Sequence, residues 1–259
     1  LSIKTELIDM VVKSVNESER KDLFREPLVG FSSADNPLYR QLKEIIGPEH
    51  LYPQDILPEA KTVVSFFIPF SEKVVVSNRK QEAVSREWAE SYVEANKLIN
   101  EISSKMIEYL EDRGISAATV KATYNYDEKT LKCGWSHRSA AYIAGLGKFG
   151  VNRMLITRVG CAGRYGSVVI AQEIAPDKRT DEPDKRTDEE FCVYHKKGKC
   201  LNCIKACPVG ALDIDGFDKF KCHDRLKENA KLFTGPGRCD VCGKCVVAGP
   251  CAIISRKAI

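Results

Sequence analysis

Residues 200–208 read Cys200-Leu201-Asn202-Cys203-Ile204-Lys205-Ala206-Cys207-Pro208. Residues 239–251 read Cys239-Asp240-Val241-Cys242-Gly243-Lys244-Cys245-Val246-Val247-Ala248-Gly249-Pro250-Cys251. With Cys192 and Cys222, this last quarter of the chain holds nine of its eleven cysteines. A cubane iron–sulfur cluster needs four thiolates converging on one small volume, and a tight loop plus a distant segment supplies them. In two-cluster ferredoxins the Cys that precedes Pro ligates the other cluster, so the motifs interlock. Applied here, Cys192, Cys200, Cys203 and Cys251 hold one 4Fe–4S cluster, and Cys207, Cys222, Cys242 and Cys245 hold a second. Cys239 is left over and could replace Cys222 or Cys242. Structural zinc also uses paired Cys-x-x-Cys, but it calls neither for the Cys-x3-Cys-Pro extension nor for so many cysteines in one short stretch. A disulfide framework is the weaker rival.

Working outward, the chain of 259 residues has room for one large or two modest domains with a hydrophobic core. An odd cysteine count with cluster-like spacing points to a reducing, cytoplasmic setting. The opening apolar run is broken by Lys4, Glu6 and Asp9 and does not read as a signal peptide. No uncharged apolar run approaches the roughly 18 residues of a membrane span. Net charge is +4, unevenly placed: residues 191–259 carry 13 Lys or Arg against 6 Asp or Glu. That basic excess offsets cluster charge; an acidic electron donor is the sharper reading, and nucleic acid is not expected as a partner.

The first part of the chain alternates helix and strand signals. Ser2 can cap a helix over 2–16, and strands are expected at 27–32 and 62–68, the second ended by Pro69. Prolines at 37, 48, 53 and 58 mark a loop-rich segment. A helix is expected from about 81 to 112, with Gly114 at its C-terminal cap, then a strand over 115–124. Ser136 can cap a helix to about 146, a glycine turn follows at 145–150, and strands are expected at 153–158 and 166–172. Gly145, Gly147 and Gly150 spell Gly-x-Gly-x-x-Gly, but they follow a helix and precede a strand. The dinucleotide fingerprint needs the reverse order, so these glycines are read as allowing tight turns and close approach to a flat cofactor. Residues 176–182 and 183–189 repeat the heptamer Pro-Asp-Lys-Arg-Thr-Asp-Glu. With no apolar residue it reads as a solvated linker over 176–190.

The block Ala144-Gly-Leu-Gly-Lys-Phe-Gly-Val-Asn152 with Leu155-Ile-Thr157, followed by Cys-x2-Cys-x3-Cys-Pro-Val-Gly-Ala-Leu, resembles the epoxyqueuosine reductase and reductive dehalogenase group. The resemblance implies a nitroreductase-like α/β domain over 1–175 and a ferredoxin-like two-cluster domain over 191–259. It also implies a base-off corrinoid (cobalamin) between the two, fed with electrons by the clusters. The chain departs from the group's pattern in four places. The first Cys pair is stretched to Cys192-x7-Cys200, and the last to Cys245-x5-Cys251, with Pro250 before the cysteine. No C-terminal helical repeat for tRNA follows, which suggests a shorter branch. Where epoxyqueuosine reductases place an aspartate acid, Leu131–Arg138 has no carboxylate.

His137 titrates near neutral pH as a class and is the candidate proton donor, with Tyr124 and Tyr126 as phenolic alternatives. Each has a plainer reading as a packed or capping residue. Arg138, Arg153 and Arg164 could clamp carboxylate or phosphate groups, those of a corrinoid included. Trp135 could stack on a planar cofactor, and Gly147 and Asn152 could approach it. Cys133 and Cys161 fall outside the cluster spacing and read as structural thiols. The expectation is an iron–sulfur oxidoreductase drawing on an external low-potential donor, acting on a small molecule or a corrinoid protein. The alternatives are a non-enzymatic electron carrier and a flavin-dependent reductase.

Overall fold

Strand β2 (Thr62–Pro69, sequence TVVSFFIP) is buried along its whole length, and the rest of the fold is arranged on its two faces. The computed structural model describes residues 2–123, 125–177, 190–233, 237 and 239–255. A continuous apolar run of this kind is what a strand covered on both sides requires. β2 pairs antiparallel with β1 (Leu28–Ser33) and with β6 (Gly163–Ile170), and the short β3 (Ala117–Ala118) closes the sheet beyond β6. The alternation of side chains along a strand then sorts the residues. Val64, Phe66, Ile68, Val168 and Ile170 join the larger core. Val63, Phe67, Tyr165 and Val169 pack on the opposite face.

Helix α5 (Arg86–Glu111) covers the first face and is itself backed by α1 (Ile3–Asn16), whose Leu7, Val11 and Val15 are buried. Ser2 caps α1 and Gly114 follows α5 with φ +71°, as expected. The single helix expected over 81–112 begins at Arg86, because Ser85 caps it; a separate α4 (Glu72–Lys80) precedes it. The proline-rich segment holds two short helices, α2 (Leu38–Ile45) and α3 (Pro53–Ile56). Helix α6 (His137–Ile143) lies on the other face of the sheet, against β1, β2 and β6. Its Ala140 and Ala141 are fully buried.

Gly145, at φ +80°, makes the expected turn after α6, whereas Gly147 approaches the protein's own backbone. Gly147 lies in β4 (Gly147–Phe149), which pairs with β5 (Leu155–Thr157). A Cβ at Gly147 would come within 2.2 Å of the Ile156 carbonyl, so it accommodates the protein's own backbone. The strand expected over 115–124 is only two residues long.

The cysteine-bearing part contains α7 (Val193–Lys197), α8 (Asn202–Lys205), α9 (Lys219–Ala230) and α10 (Lys244–Val247). Its Cys192, Cys239, Val241, Val246, Val247 and Ala252 belong to the same apolar core as α5 and the sheet. Backbone contact reinforces this junction: Cys161 N–H donates to Cys251 O at 2.9 Å and Ala162 N–H to Ala252 O at 3.2 Å. Gly160, at φ +103°, is required there, since a Cβ would sit 2.4 Å from the Ala252 carbonyl. Asp177, inside the first heptamer, accepts from Lys4 Nζ and from Phe31 N–H. The remainder of the expected linker lies outside the described residues, as does Tyr124. Among the described residues, no helix is long and apolar enough to cross a membrane.

Tight packing at β6 gives a direct check. A Cβ at Gly166 would meet Phe66 Cζ at 2.4 Å and Ile99 Cγ2 at 2.8 Å. Gly166→Ala should therefore cost about 1–3 kcal/mol, read as a lower urea midpoint at unchanged m-value. Gly216→Ala, where nothing lies within 4 Å, should stay within about 0.5 kcal/mol.

Candidate functional site

Cys192, Cys200, Cys203 and Cys251 line one small cavity together with Val151, Asn152 and Ile156. Three segments deliver them: the start of α7, the turn into α8, and the stretch after α10 that pairs with residues 159–162. Burial raises the Cys203 thiol, and the charges of Cys251 and Cys192 raise it further. Cys200 holds a left-handed backbone at φ +83°, a conformation that costs a non-glycine residue about 1–3 kcal/mol.

The other four thiols also form a set. Burial pushes Cys222 up to about 11, with Cys242 and Cys207 adding to the shift. Burial pushes Cys245 up to about 12, and Cys242, Cys222, Cys207 and, from the first group, Cys203 raise it further. Cys207 Sγ accepts the Ala211 N–H at 3.2 Å. Cys239 stands apart: it is buried in the apolar core, and after burial the charge that raises it is Asp240, not another thiol. Cys192, Cys200, Cys203 and Cys251 thus share one cavity, while Cys207, Cys222, Cys242 and Cys245 lie close enough to act on one another, and Cys239 is in neither group. Such mutually repelling, desolvated thiols suit deprotonation by a bound metal centre. Among the described residues, no three His, Cys, Asp or Glu side chains converge closely enough to hold a single metal ion.

Two further cavities meet beside the first set. The larger, about 870 Å³, is walled by apolar Leu38, Leu42, Ile45, Tyr142 and Phe149 and by Lys148, Arg138 and Arg153. The smaller, about 270 Å³, is walled by Trp135, His137, Arg138, Met154 and Arg164 among others. Arg138 is exposed and lines both; its Nη1 donates to the Arg153 carbonyl at 3.1 Å. Arg153 Nη2 donates to Ile214 O at 3.0 Å, which ties this wall to the cysteine-bearing part. Arg164 is engaged by Asn96 Oδ1 at 3.1 Å and Thr123 Oγ1 at 3.0 Å and lies over the Tyr92 ring. Trp135 stacks on Tyr39 at 5.7 Å, so that face is closed to a cofactor. Asn152 lines the first thiol cavity and donates to Cys161 Sγ at 3.5 Å.

His137 differs from its expectation. The ring is buried, and desolvation lowers its pKa to about 4, so it is neutral at pH 7. Ser167 Oγ lies 2.8 Å from its Nδ1 and accepts from Trp135 Nε1 at 3.0 Å. Among the described residues Nε2 has no partner at bonding geometry, although the Lys121 and Val120 carbonyls draw the pKa part-way back. Carbonyl neighbours favour the Nε2–H tautomer, with Ser167 donating to Nδ1. Tyr126 meets His223 Nε2 at 3.2 Å, bridging the 125–134 loop to α9.

Two thiols read from the sequence as structural lie at or beside the cavities. Cys133 lines both cavities; its signal was its place in the same short stretch as His137. Cys161 is fully buried, its Sγ donates to Val246 O at 3.8 Å, and the neighbouring Cys251 thiol and burial hold it well above the usual thiol range. Only its position in the glycine loop hinted at this contact.

This fold is shared with a class of reductases. The structure of epoxyqueuosine reductase from Streptococcus thermophilus matches over 96% of this chain at 18% identity and TM-score 0.56. An epoxyqueuosine reductase solved with an epoxyqueuosine-modified tRNA-Tyr stem loop matches over 95% at 20% identity and TM-score 0.60. A reductive dehalogenase whose structure suggests a mechanism for B12-dependent dehalogenation matches over 86% at 18% identity and TM-score 0.56. The chain spans 66% and 64% of the two epoxyqueuosine reductases and 29% of the dehalogenase. No protein-family model and no curated protein matches the sequence. The likeness bears out a mixed α/β fold of the kind found in epoxyqueuosine reductases and reductive dehalogenases.

The His137 environment sets a pH dependence. Because its folded pKa is lowered to about 4 from 6.5, the unfolded chain takes up this proton first as pH falls. Stability should drop through the window from pH 6.5 to 4, by about 3 kcal/mol from this group, and level off below it. In His137→Gln the slope over that window should shrink, and NMR titration should find one imidazole still neutral at pH 5.

Proposed function

We propose that the chain is an iron–sulfur reductase, in which two 4Fe–4S clusters pass electrons to a corrinoid held in the cavities walled by residues 133–165. The observation that carries this reading is the convergence of Cys192, Cys200, Cys203 and Cys251 on one small cavity, near a further cavity of about 870 Å³, a size within the range of cofactor sites. The first set is Cys192, Cys200, Cys203 and Cys251; the second is Cys207, Cys222, Cys242 and Cys245. The nitroreductase-like label for the α/β part and the ferredoxin-type label for the cysteine part belong to the same proposal, as does a cytoplasmic setting.

The residues present suit both groups. Most of the thiols are part-buried, and Cys207 Sγ receives the Ala211 backbone N–H; such bonds tune cluster potential. The larger cavity joins an apolar wall to Lys148, Arg138, Arg153, Gln41 and Glu190, which suits a ring system whose periphery carries amide groups and a single phosphate. A bound corrinoid would supply a strongly reducing centre for two-electron chemistry. The chain's own part is to hold it, screen it from water with α2 and Tyr142, and orient a substrate in the smaller cavity. Arg138 lies at the junction and would bind an anionic group of either ligand. A proton is also needed, and neither neutral His137 nor Tyr126, engaged by His223, is placed to give one at pH 7. That observation favours a second reading, an electron carrier that docks a partner such as a corrinoid protein.

Anaerobic purification with iron and sulfide analysis tests the assignment: about eight irons per chain are expected from two cubane clusters. Cys222→Ala should lose about four of them, whereas Cys239→Ala should keep the full complement. A cobalamin titration should then shift the corrinoid spectrum. A loaded protein with no such response would leave the carrier reading in place.

A further inference from the structure

Lys244 stands between two thiols of the second set, yet its ammonium turns away into the α4–α5 junction. There Nζ donates to three main-chain carbonyls: Asn78 O at 2.6 Å, Gln81 O at 2.6 Å and Ala83 O at 2.7 Å. Asn78 returns the contact, its Nδ2 donating to Cys242 O at 2.9 Å. Gly243, at φ +71°, lies so close to Trp88 that a Cβ would approach its Cε2 to 2.3 Å. The Cys242-Gly243-Lys244 tripeptide is therefore clamped to the end of α4 and the first turn of α5. Among the described residues no carboxylate takes part, so the positive charge is fixed by carbonyl dipoles and left un-neutralised beside Cys242. Arg225 of α9 adds a second positive charge on the same thiol.

A one-electron reduction adds negative charge to a cluster, and a nearby fixed cation favours that state. A solvated lysine would be screened; one anchored at three points in a half-buried junction is screened less. From this geometry we infer that Lys244 is a positioning residue that acts electrostatically, holding a permanent cation against the second thiol set and raising the reduction potential there. The inference rests on the cluster assignment proposed above.

The test uses the loaded full-length protein, titrated with dithionite and followed by electron paramagnetic resonance. Wild-type protein lacking two separate one-electron signals would end the cluster assignment itself, before any variant is made. Given both signals, Lys244→Met should shift the reduction equilibrium of one cluster about tenfold toward the oxidised form, equivalent to about 59 mV for a one-electron couple. The other cluster and the iron content should stay as in wild type. Lys244→Arg, which keeps the charge, should hold the potential within about threefold, or roughly half that shift on the same scale. Should the Met variant fail to load, Lys244→Gln carries the same expectation while retaining a donor for the carbonyls. A neutral variant with two clusters and an unchanged potential overturns the inference, and so does an Arg variant that falls as far as the neutral one.

Discussion

Cys251 can join Cys192, Cys200 and Cys203 only because its backbone runs directly against residues 159–162. Two hydrogen bonds and the missing Cβ of Gly160 set that approach. The contact joins the last cysteine of the chain to the strand region beside α6, and Cys161 and Asn152 then surround the sulfur from the α/β side. Without it the first set would be three thiols on a short loop. The second set has an analogous anchor in Asn78, Trp88 and Lys244. Each thiol set is thus completed from the α/β part, with no free-standing cysteine module.

The same contacts explain where the cavities fall. The central sheet is covered by α5 on one face and by α6 on the other, so neither face is open to a ligand. The open volume lies at the edge, where α2, the 133–138 stretch and the turn after β4 meet the cysteine-bearing part. Arg138 and Arg153 arrive there from two different segments. Their chain of contacts, Arg138 to the Arg153 carbonyl and Arg153 to Ile214, spans the junction.

The sequence was most informative where local chemistry decides. Ser2 and Ser136 cap helices because each can accept a nearby backbone N–H, and Thr62–Pro69 is mostly apolar and buried throughout because both its faces are covered. The gathering of Cys192, Cys200, Cys203 and Cys251 at one cavity agrees with the grouping that their spacing suggested. Long-range proximity was not legible. Nothing local says that Gly147 meets Ile156, that Cys161 meets Cys251, or that Cys133 borders both cavities. His137 misled for the same reason: its residue class suggests titration near neutrality, but burial beside Ser167 is a property of the packed sheet.

A core shared between the sheet and the thiol-bearing segments has a consequence for the life of the protein. Val241, Val246, Val247 and Ala252 pack with the residues of α5, so whatever the neighbouring sulfurs bind is linked thermodynamically to the folding of the whole chain. Loss of anything held there would loosen the sheet as well as the site itself. Damage at the sulfurs would then be visible to proteases as global instability, and a damaged chain would be cleared and not kept as an inert scaffold.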